Sequence, residues 1–378
     1  MTRTLGTDRQ WTITCMLLLA GVGLAAAVLD RRTDAIGEVA AALQATDLNR
    51  EDTEEAVAGY YEALLDEGGR VRLMNPRLGA GVDVAVWGEG SVTRRGRDDF
   101  LLWDLRPNIH IDQLVTNSEG LADREYPHQR RPGLRRVVIL GDSVTQGYGA
   151  KLGMSFEARL EDDLARHPVC PGQEAPEIIN FGISGYKLTQ LLDLIPSRAR
   201  SFRPDAYVLA LTQQSVGGNW SNHLTMLIRE GRSLKYPFLA DTVRQARVLP
   251  TDPQRTMHAK LARFRVDLIH ESIREIKQMA ASDHADFLVL LVPTALPQRE
   301  LRKIFAGIPE ILDSVGVPYV NLVGAFADVD VSTIRAGVRD IHPNTQGHAL
   351  LVQALRSQLE HQPDARDAFL GASCRPAL

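Results

Sequence analysis

From Arg135 onward, short apolar runs alternate with longer amphipathic stretches. The runs are RVVILG (136–141), EIINFG (177–182), AYVLAL (206–211), DFLVLLV (286–292) and VPYVNL (317–322). They are apolar almost throughout instead of alternating, which predicts strands buried on both faces, as in a parallel sheet covered by helices. Between them, SFEARLEDDLARH and VDLIHESIREIKQMAAS carry apolar residues at helical spacing. Five such strands with helical crossovers predict a doubly wound α/β domain over residues 131–362. Residues 217–265 contain no strand-like run and include Trp220, Tyr236 and Phe238. This insertion is expected to be a lid or a substrate loop. Beyond His361 the pattern fades into what reads as a polar tail, 363–378.

Upstream the pattern differs. Trp11 to Leu29 is free of charge over about 19 residues, enough for a helix to cross a hydrocarbon core. Arg3 and Arg9 precede it, and Asp30, Arg31 and Arg32 follow. Two readings stand: a single-pass anchor with the body outside the cytoplasm, or a signal cleaved near Ala25-Ala26-Ala27. The first 32 residues are assigned to that anchor or signal. Asp34 to Glu67 reads helical and is closed by Gly68-Gly69. Alternation in VDVAVWGEGSVT and LLWDLRPNIHI then predicts a small β region, so 33–130 forms a helical stalk plus β elements.

Composition narrows the function. The chain has 378 residues, 44% of them hydrophobic and 24% charged, ordinary values for a folded protein with a large core. Lys and Arg number 43 against 47 Asp and Glu, a net charge of −4, so no basic excess points to nucleic acid. Three cysteines, Cys15, Cys170 and Cys374, exclude a disulfide framework and a four-cysteine zinc site. Outside the cytoplasm, Cys170 and Cys374 are able to pair; otherwise they are two free thiols. No histidine spacing marks a metal site, and Gly141 to Gly149 lacks the Gly-Lys-Ser/Thr of a phosphate loop. No cofactor or metal is expected.

The chemistry gathers at two strand ends. RVVILG runs into Gly141-Asp142-Ser143-Val144, which places Ser143 where a strand gives way to a helix. Alone, that serine serves equally as a helix cap. Arg339-Asp340-Ile341-His342-Pro343-Asn344 stands after the fifth strand and before the helix ALLVQALRSQLEH. His342 then shares the sheet rim with Ser143 and is placed to take its proton, with a carboxylate orienting the ring. Asp142 is expected to brace its turn, Asn344 to cap the helix and His348 to pack.

These segments resemble the SGNH, or GDSL-type, hydrolase superfamily. The matching pieces are Gly-Asp-Ser after the first strand, Asn180-Phe181-Gly182-Ile183-Ser184-Gly185 after the second, and Asp-x-His-Pro-Asn before the helix. Thr116-Asn117-Ser118-Glu119-Gly120-Leu121 also resembles membrane-anchored bacterial members. The resemblance spans roughly residues 115 to 360. It implies a flavodoxin-like three-layer α/β/α sandwich and a serine esterase acting on acyl esters through an acyl-enzyme. In such an enzyme Ser143 is the nucleophile and His342 the base, with Ser143 and Gly185 giving backbone N–H donors to the oxyanion. O-acetyl groups of an extracytoplasmic glycan are the substrate this likeness favours. An O-acyltransferase, or a non-catalytic glycan-binding module, remains as the alternative.

Two positions depart from the family pattern. Its third block, Gly-x-Asn-Asp, reads Thr212-Gln213-Gln214-Ser215 here. Gln214 aligns with the asparagine donor, while Gln213 and Asn219 are the other candidates. The acid three residues before the histidine is replaced by Arg339, and Asp340 sits two before. Either Asp340 orients His342, or a Ser–His dyad remains with a backbone carbonyl as orienter.

Overall fold

The five apolar runs form one parallel sheet in a computed structural model that describes residues 70–74, 81–85, 92–95, 100–111, 114–218, 220–338 and 340–374. The strands are β1 (Arg136–Gly141), β2 (Glu177–Gly182), β3 (Ala206–Leu211), β4 (Asp286–Leu291) and β5 (Tyr319–Asn321). Their spatial order is β5-β4-β3-β1-β2, all pairs parallel. This is the flavodoxin-like order 2-1-3-4-5, whose chain reverses direction between β1 and β3. A crevice therefore opens at the carboxyl ends of those two strands.

Alternation within each strand explains why the runs are apolar throughout. Val138, Leu140, Ile179, Phe181, Leu209 and Leu291 face one apolar cluster, while Val137, Ile139, Ile178, Val208 and Leu290 face another. The second face is covered by α1 (Ser143–Gln146), α2 (Phe156–Arg166), α11 (Thr345–His361) and α12 (Pro363–Leu370). The first is covered by α3 (Leu188–Ser197), α8 (Arg265–Ser282), α9 (Gln298–Ile304) and α10 (Ile308–Val315). At about 25 cal/mol per Å² of apolar surface, both faces contribute to stability, and neither tolerates a polar residue without a partner.

The insertion is not a loose loop. After α4 (Gln213–Val216) it forms α5 (Asn222–Arg229), α6 (Pro237–Ala246) and α7 (Gln254–Leu261). Trp220, Leu224, Leu227, Leu239, Met257 and Leu261 are buried in the first cluster. Trp220 thus packs inward.

The tail expected to be polar is corrected as well. Pro363 starts α12, and Ala365, Phe369 and Leu370 are buried against the second face. Cys374 pairs with Cys170 as a disulfide, with Cα atoms 5.2 Å apart across a sequence separation of 204. A short apolar stripe, the bonds from Arg135 to the Ala368 and Phe369 carbonyls and one covalent bond hold the segment, too little to show in a hydrophobic pattern.

The small β region is present as antiparallel pairs: Arg70–Met74 with Gly81–Ala85, Thr93–Arg95 with Trp103–Leu105, and His110–Ile111 with Leu114–Val115. Phe100 to Trp103, Leu105 and Leu121 join the first cluster beside α3. Arg198, which follows α3, donates to the buried Asp104 at 2.6 Å. The apolar run 11–29 and the helical stretch 34–67 lie outside the described residues. Among the described residues, no helix is long and apolar enough to cross a membrane.

Two predictions follow from packing. Cys374→Ser should cost about 2–5 kcal/mol in urea unfolding, since the disulfide closes a very long loop. The second concerns Asp123, which accepts a hydrogen bond from the Asn180 backbone on β2 at 2.8 Å. Burial pushes its carboxyl up from 3.8 to about 7. The folded state then holds a proton that the unfolded chain releases near pH 4, so stability falls as pH rises from about 4 to 7. Asp123→Asn should make this fall shallower, read from urea midpoints across that range.

Candidate active site

Ser143 opens α1 directly after β1. Asp142 caps that helix: its Oδ1 accepts from the Val144 N–H at 3.0 Å. Its Oδ2 accepts from the Thr212 hydroxyl, at the end of β3. Asp142 is fully buried, and desolvation raises its pKa. The carboxylate therefore ties together the two turns that flank the crevice. Close packing completes the turn. A Cβ on Gly182, at the end of β2, would lie 2.2 Å from the Gln146 N, so only glycine lets β2 pass this near α1.

His342 sits on a short hairpin, Arg335–Gly337 with Asp340–Pro343, and not in an irregular loop. Asn344 caps α11 by accepting from the Gln346 and Gly347 N–H groups at 2.9 and 3.1 Å. Its amide donates to the Thr333 carbonyl at 2.9 Å, which pins the hairpin to the preceding turn. The Ala295 N–H, after β4, donates to the Ile341 carbonyl at 2.7 Å. His342 is thereby held from three sides.

These supports bring three side chains into one hydrogen-bonded chain. Ser143 Oγ lies 2.7 Å from His342 Nε2, and His342 Nδ1 lies 2.6 Å from Asp340 Oδ1. Ionised, Asp340 only accepts, so the ring proton belongs on Nδ1 and Nε2 accepts from the serine hydroxyl. Asp340 Oδ1 also accepts from the His342 N–H at 3.0 Å. The two-residue spacing thus reaches the ring. Ser143, Asp340 and His342 are all buried or nearly so, and Tyr148 packs on the imidazole with ring centroids 4.5 Å apart.

Donors surround the opposite side. Gly185, at φ +82°, makes a turn that side-chain-bearing residues rarely adopt. A Cβ there would meet the Trp103 indole at 3.4 Å. Trp103 Nε1 donates to the Ser184 carbonyl at 3.3 Å, and Gln146 Oε1 accepts from the Ser184 N–H at 2.7 Å. Among the described residues, the Gly185 N–H finds no acceptor. The Ser143 N–H is in the first turn of α1, where helical N–H groups have no intrahelical partner.

The third block resolves into two differently held amides. Gln213 Oε1 accepts from the Thr294 hydroxyl at 2.6 Å, on the β4 side of the crevice. Gln214 Oε1 accepts from the ammonium of Lys187, two residues beyond Gly185. No hydrogen bond from its Nε2 is seen among the described residues, and the Nε2 of Gln213 is buried and equally without a partner. Asn219 lies outside the described residues. Lys187, which follows Gly185 so closely, went unnoticed in the sequence, where a lone lysine before a helix carries no signal.

The remaining histidine of this region is structural. His348 Nδ1 accepts from the Phe156 N–H at 3.0 Å, and burial pushes its pKa down to about 4, so it stays neutral. Among the described residues, no cluster of histidine, cysteine and carboxylate groups has a metal-binding arrangement. Two clefts, of ≈ 490 and ≈ 580 Å³, open at the amino ends of the strands beside Cys170 and Glu161. Neither includes Ser143 or His342.

The model of the GDSL-like lipase/acylhydrolase family matches residues 139–350, more than half of the sequence. The chain belongs to this family. As a family member it is a hydrolase of ester bonds. Solved structures of the family's kind resemble it at low identity. The lipase/acylhydrolase from Enterococcus faecalis is 14% identical, with a TM-score of 0.40, covering 65% of this chain and 100% of that one. An acetylxylan esterase from Geobacillus stearothermophilus is 14% identical, with a TM-score of 0.40, covering 59% and 93%. The psychrotrophic esterase EstA from a Pseudoalteromonas species is 13% identical, with a TM-score of 0.39, covering 60% and 97%. A search of curated proteins finds no match.

The hairpin's anchoring gives a stability prediction. Asn344→Ala should cost about 1–2 kcal/mol in urea unfolding, because two N–H groups of α11 lose their cap.

Proposed function

We propose that this family member removes acyl groups through a covalent intermediate on Ser143, with His342 as general base and Asp340 as its orienter. The observation that carries this reading is the unbroken hydrogen-bonded chain from Ser143 Oγ through His342 to Asp340. Ser143 Oγ attacks the ester carbonyl carbon while its proton passes to His342 Nε2. Negative charge collects on the carbonyl oxygen, facing the N–H groups of Ser143 and Gly185 and the amide of Gln214. The C–O bond to the alcohol breaks as His342 returns the proton to the leaving oxygen. Water, giving its proton to His342, then attacks the acyl carbon; the bond to Ser143 Oγ breaks, His342 returns the proton to Oγ, and the acid is released. Donors fixed in advance around the oxyanion are worth roughly 10²–10³-fold each in kcat.

The substrate proposed is an O-acetylated glycan outside the cytoplasm. Three features support this. Thr116 to Leu121 resembles membrane-anchored family members, the charge-free run 11–29 suits an anchor or a signal, and the Cys170–Cys374 disulfide fits an oxidising compartment. The compartment proposed with it is the outer side of the cytoplasmic membrane, with the body either anchored or released after cleavage.

The test is turnover of p-nitrophenyl acetate by the full chain beside its variants. Ser143→Ala and His342→Ala should each lower kcat/KM by 10³-fold or more, and Asp340→Asn by about the same factor through the wrong ring tautomer. Wild-type turnover no better than that of Ser143→Ala would overturn the acyl-enzyme reading.

A further inference from the structure

We infer that Lys187 is a positioning residue that fixes the amide of Gln214 with its N–H groups toward the oxyanion; this rests on the acyl-transfer reading above. A glutamine amide is nearly symmetric in shape, and either end can face a cavity. Its orientation is set by whichever partner can bond only one end. An ammonium donates and never accepts, so the bond from Lys187 Nζ must go to Gln214 Oε1. The amide nitrogen is then turned away from Lys187, and no hydrogen bond from it is seen among the described residues.

Topology places this pair at the crevice. Lys187 follows the Gly185 turn after β2, and Gln214 follows Thr212 after β3. β1, which delivers Ser143, runs between those two strands. The Lys187–Gln214 bond therefore bridges the two strands that flank the nucleophile's own. Gln213 is held from the other side, its Oε1 accepting from the Thr294 hydroxyl beside β4 at 2.6 Å, and its buried Nε2 has no partner among the described residues. Where the family pattern has a shorter asparagine, this chain has one more methylene and therefore one more torsion to fix. Lys187 supplies that constraint.

The constraint depends on charge. Burial lowers the Lys187 pKa to about 8, partly opposed by the Asp142 carboxylate at the start of α1. From α7, His258 also faces the lysine, held through its Nδ1 by the Ser221 hydroxyl at 2.7 Å, and burial lowers its pKa. Once neutral, the Lys187 amine accepts as well as donates, and the amide is free to turn over. Activity should therefore fall as pH rises through about 8.

The experiment is a double-mutant cycle on the full chain with p-nitrophenyl acetate, reading kcat and KM separately across pH 6–10. Gln214→Ala should lower kcat by about 10²-fold with KM changed little. Lys187→Met should lower kcat by about 10-fold or more and abolish the alkaline fall. In the Gln214→Ala background, Lys187→Met should change kcat less than about 2-fold, because its effect passes through the missing amide. The wild-type alkaline fall needs no variant, so it reads the same device even where Lys187→Met disturbs folding. Full activity in Gln214→Ala would overturn the oxyanion role of Gln214 and this inference with it. Impaired Gln214→Ala beside an unimpaired Lys187→Met, or additive losses in the double variant, would overturn the positioning role alone. A wild-type profile flat from pH 7 to 10 would overturn it too.

Discussion

Everything at the site hangs from the carboxylate of Asp142. It is buried without access to solvent, and its two oxygens are used on two different strand ends. One caps α1 and so fixes where Ser143 emerges from β1; the other accepts from Thr212 and fixes where α4 begins after β3. Without this tie, the two turns at the point where the sheet reverses direction would be set only by their own loops. With it, Ser143 and the amide of Gln214 share one reference. A buried carboxylate with two donors is costly to leave half-satisfied, so the turn has one stable arrangement.

Charge in the crevice is arranged along the same line. The carboxyls of Asp142 and Asp340 stand behind the serine and behind the histidine, while Lys187 brings a buried amino group to Gln214. Desolvation pushes Asp142 toward protonation and Lys187 toward neutrality. Each opposes that tendency in the other, because opposite charges favour both ionised forms. Ser143 thus lies between the hairpin that carries His342 and the turns after β2 and β3 that carry Gly185 and Gln214.

The strands were legible because burial on both faces leaves no polar positions, so RVVILG and AYVLAL could be bounded to the residue. That Ser143 and His342 would share one rim of the sheet was legible, because each follows an apolar run at its carboxyl end. The shortened Asp340–His342 spacing needed the structure, since reach depends on the hairpin's backbone and not on counting. The choice between Gln213 and Gln214 was not legible. Their amides are held by Thr294 and Lys187, which lie 81 and 27 residues away and signal nothing locally. The tail after His361 was misread for a related reason: a partner 204 residues distant holds it, and its short apolar stripe falls below what periodicity reveals. In the insertion, Trp220 suggested a binding surface because an aromatic residue in a loop-like stretch looks exposed; its burial comes from helices that only the fold brings over it.

The replacement of an asparagine by Gln214 need not weaken the site, and the reason is geometric. A longer side chain reaches the same point by more routes, so its donor is less well placed unless something removes the extra freedom. Preorganised donors stabilise a developing charge because they do not have to rearrange during the reaction. An extra methylene works against that, and a donor-only partner on the carbonyl end restores it. Lys187 meets this need from the very turn that supplies Gly185. Two of the proposed oxyanion donors then depend on one short segment, Gly185 to Lys187, packed under Trp103 from the small β region. The region before the sheet therefore takes part in the site's precision, since the indole that closes over Gly185 braces the turn from which Lys187 reaches across.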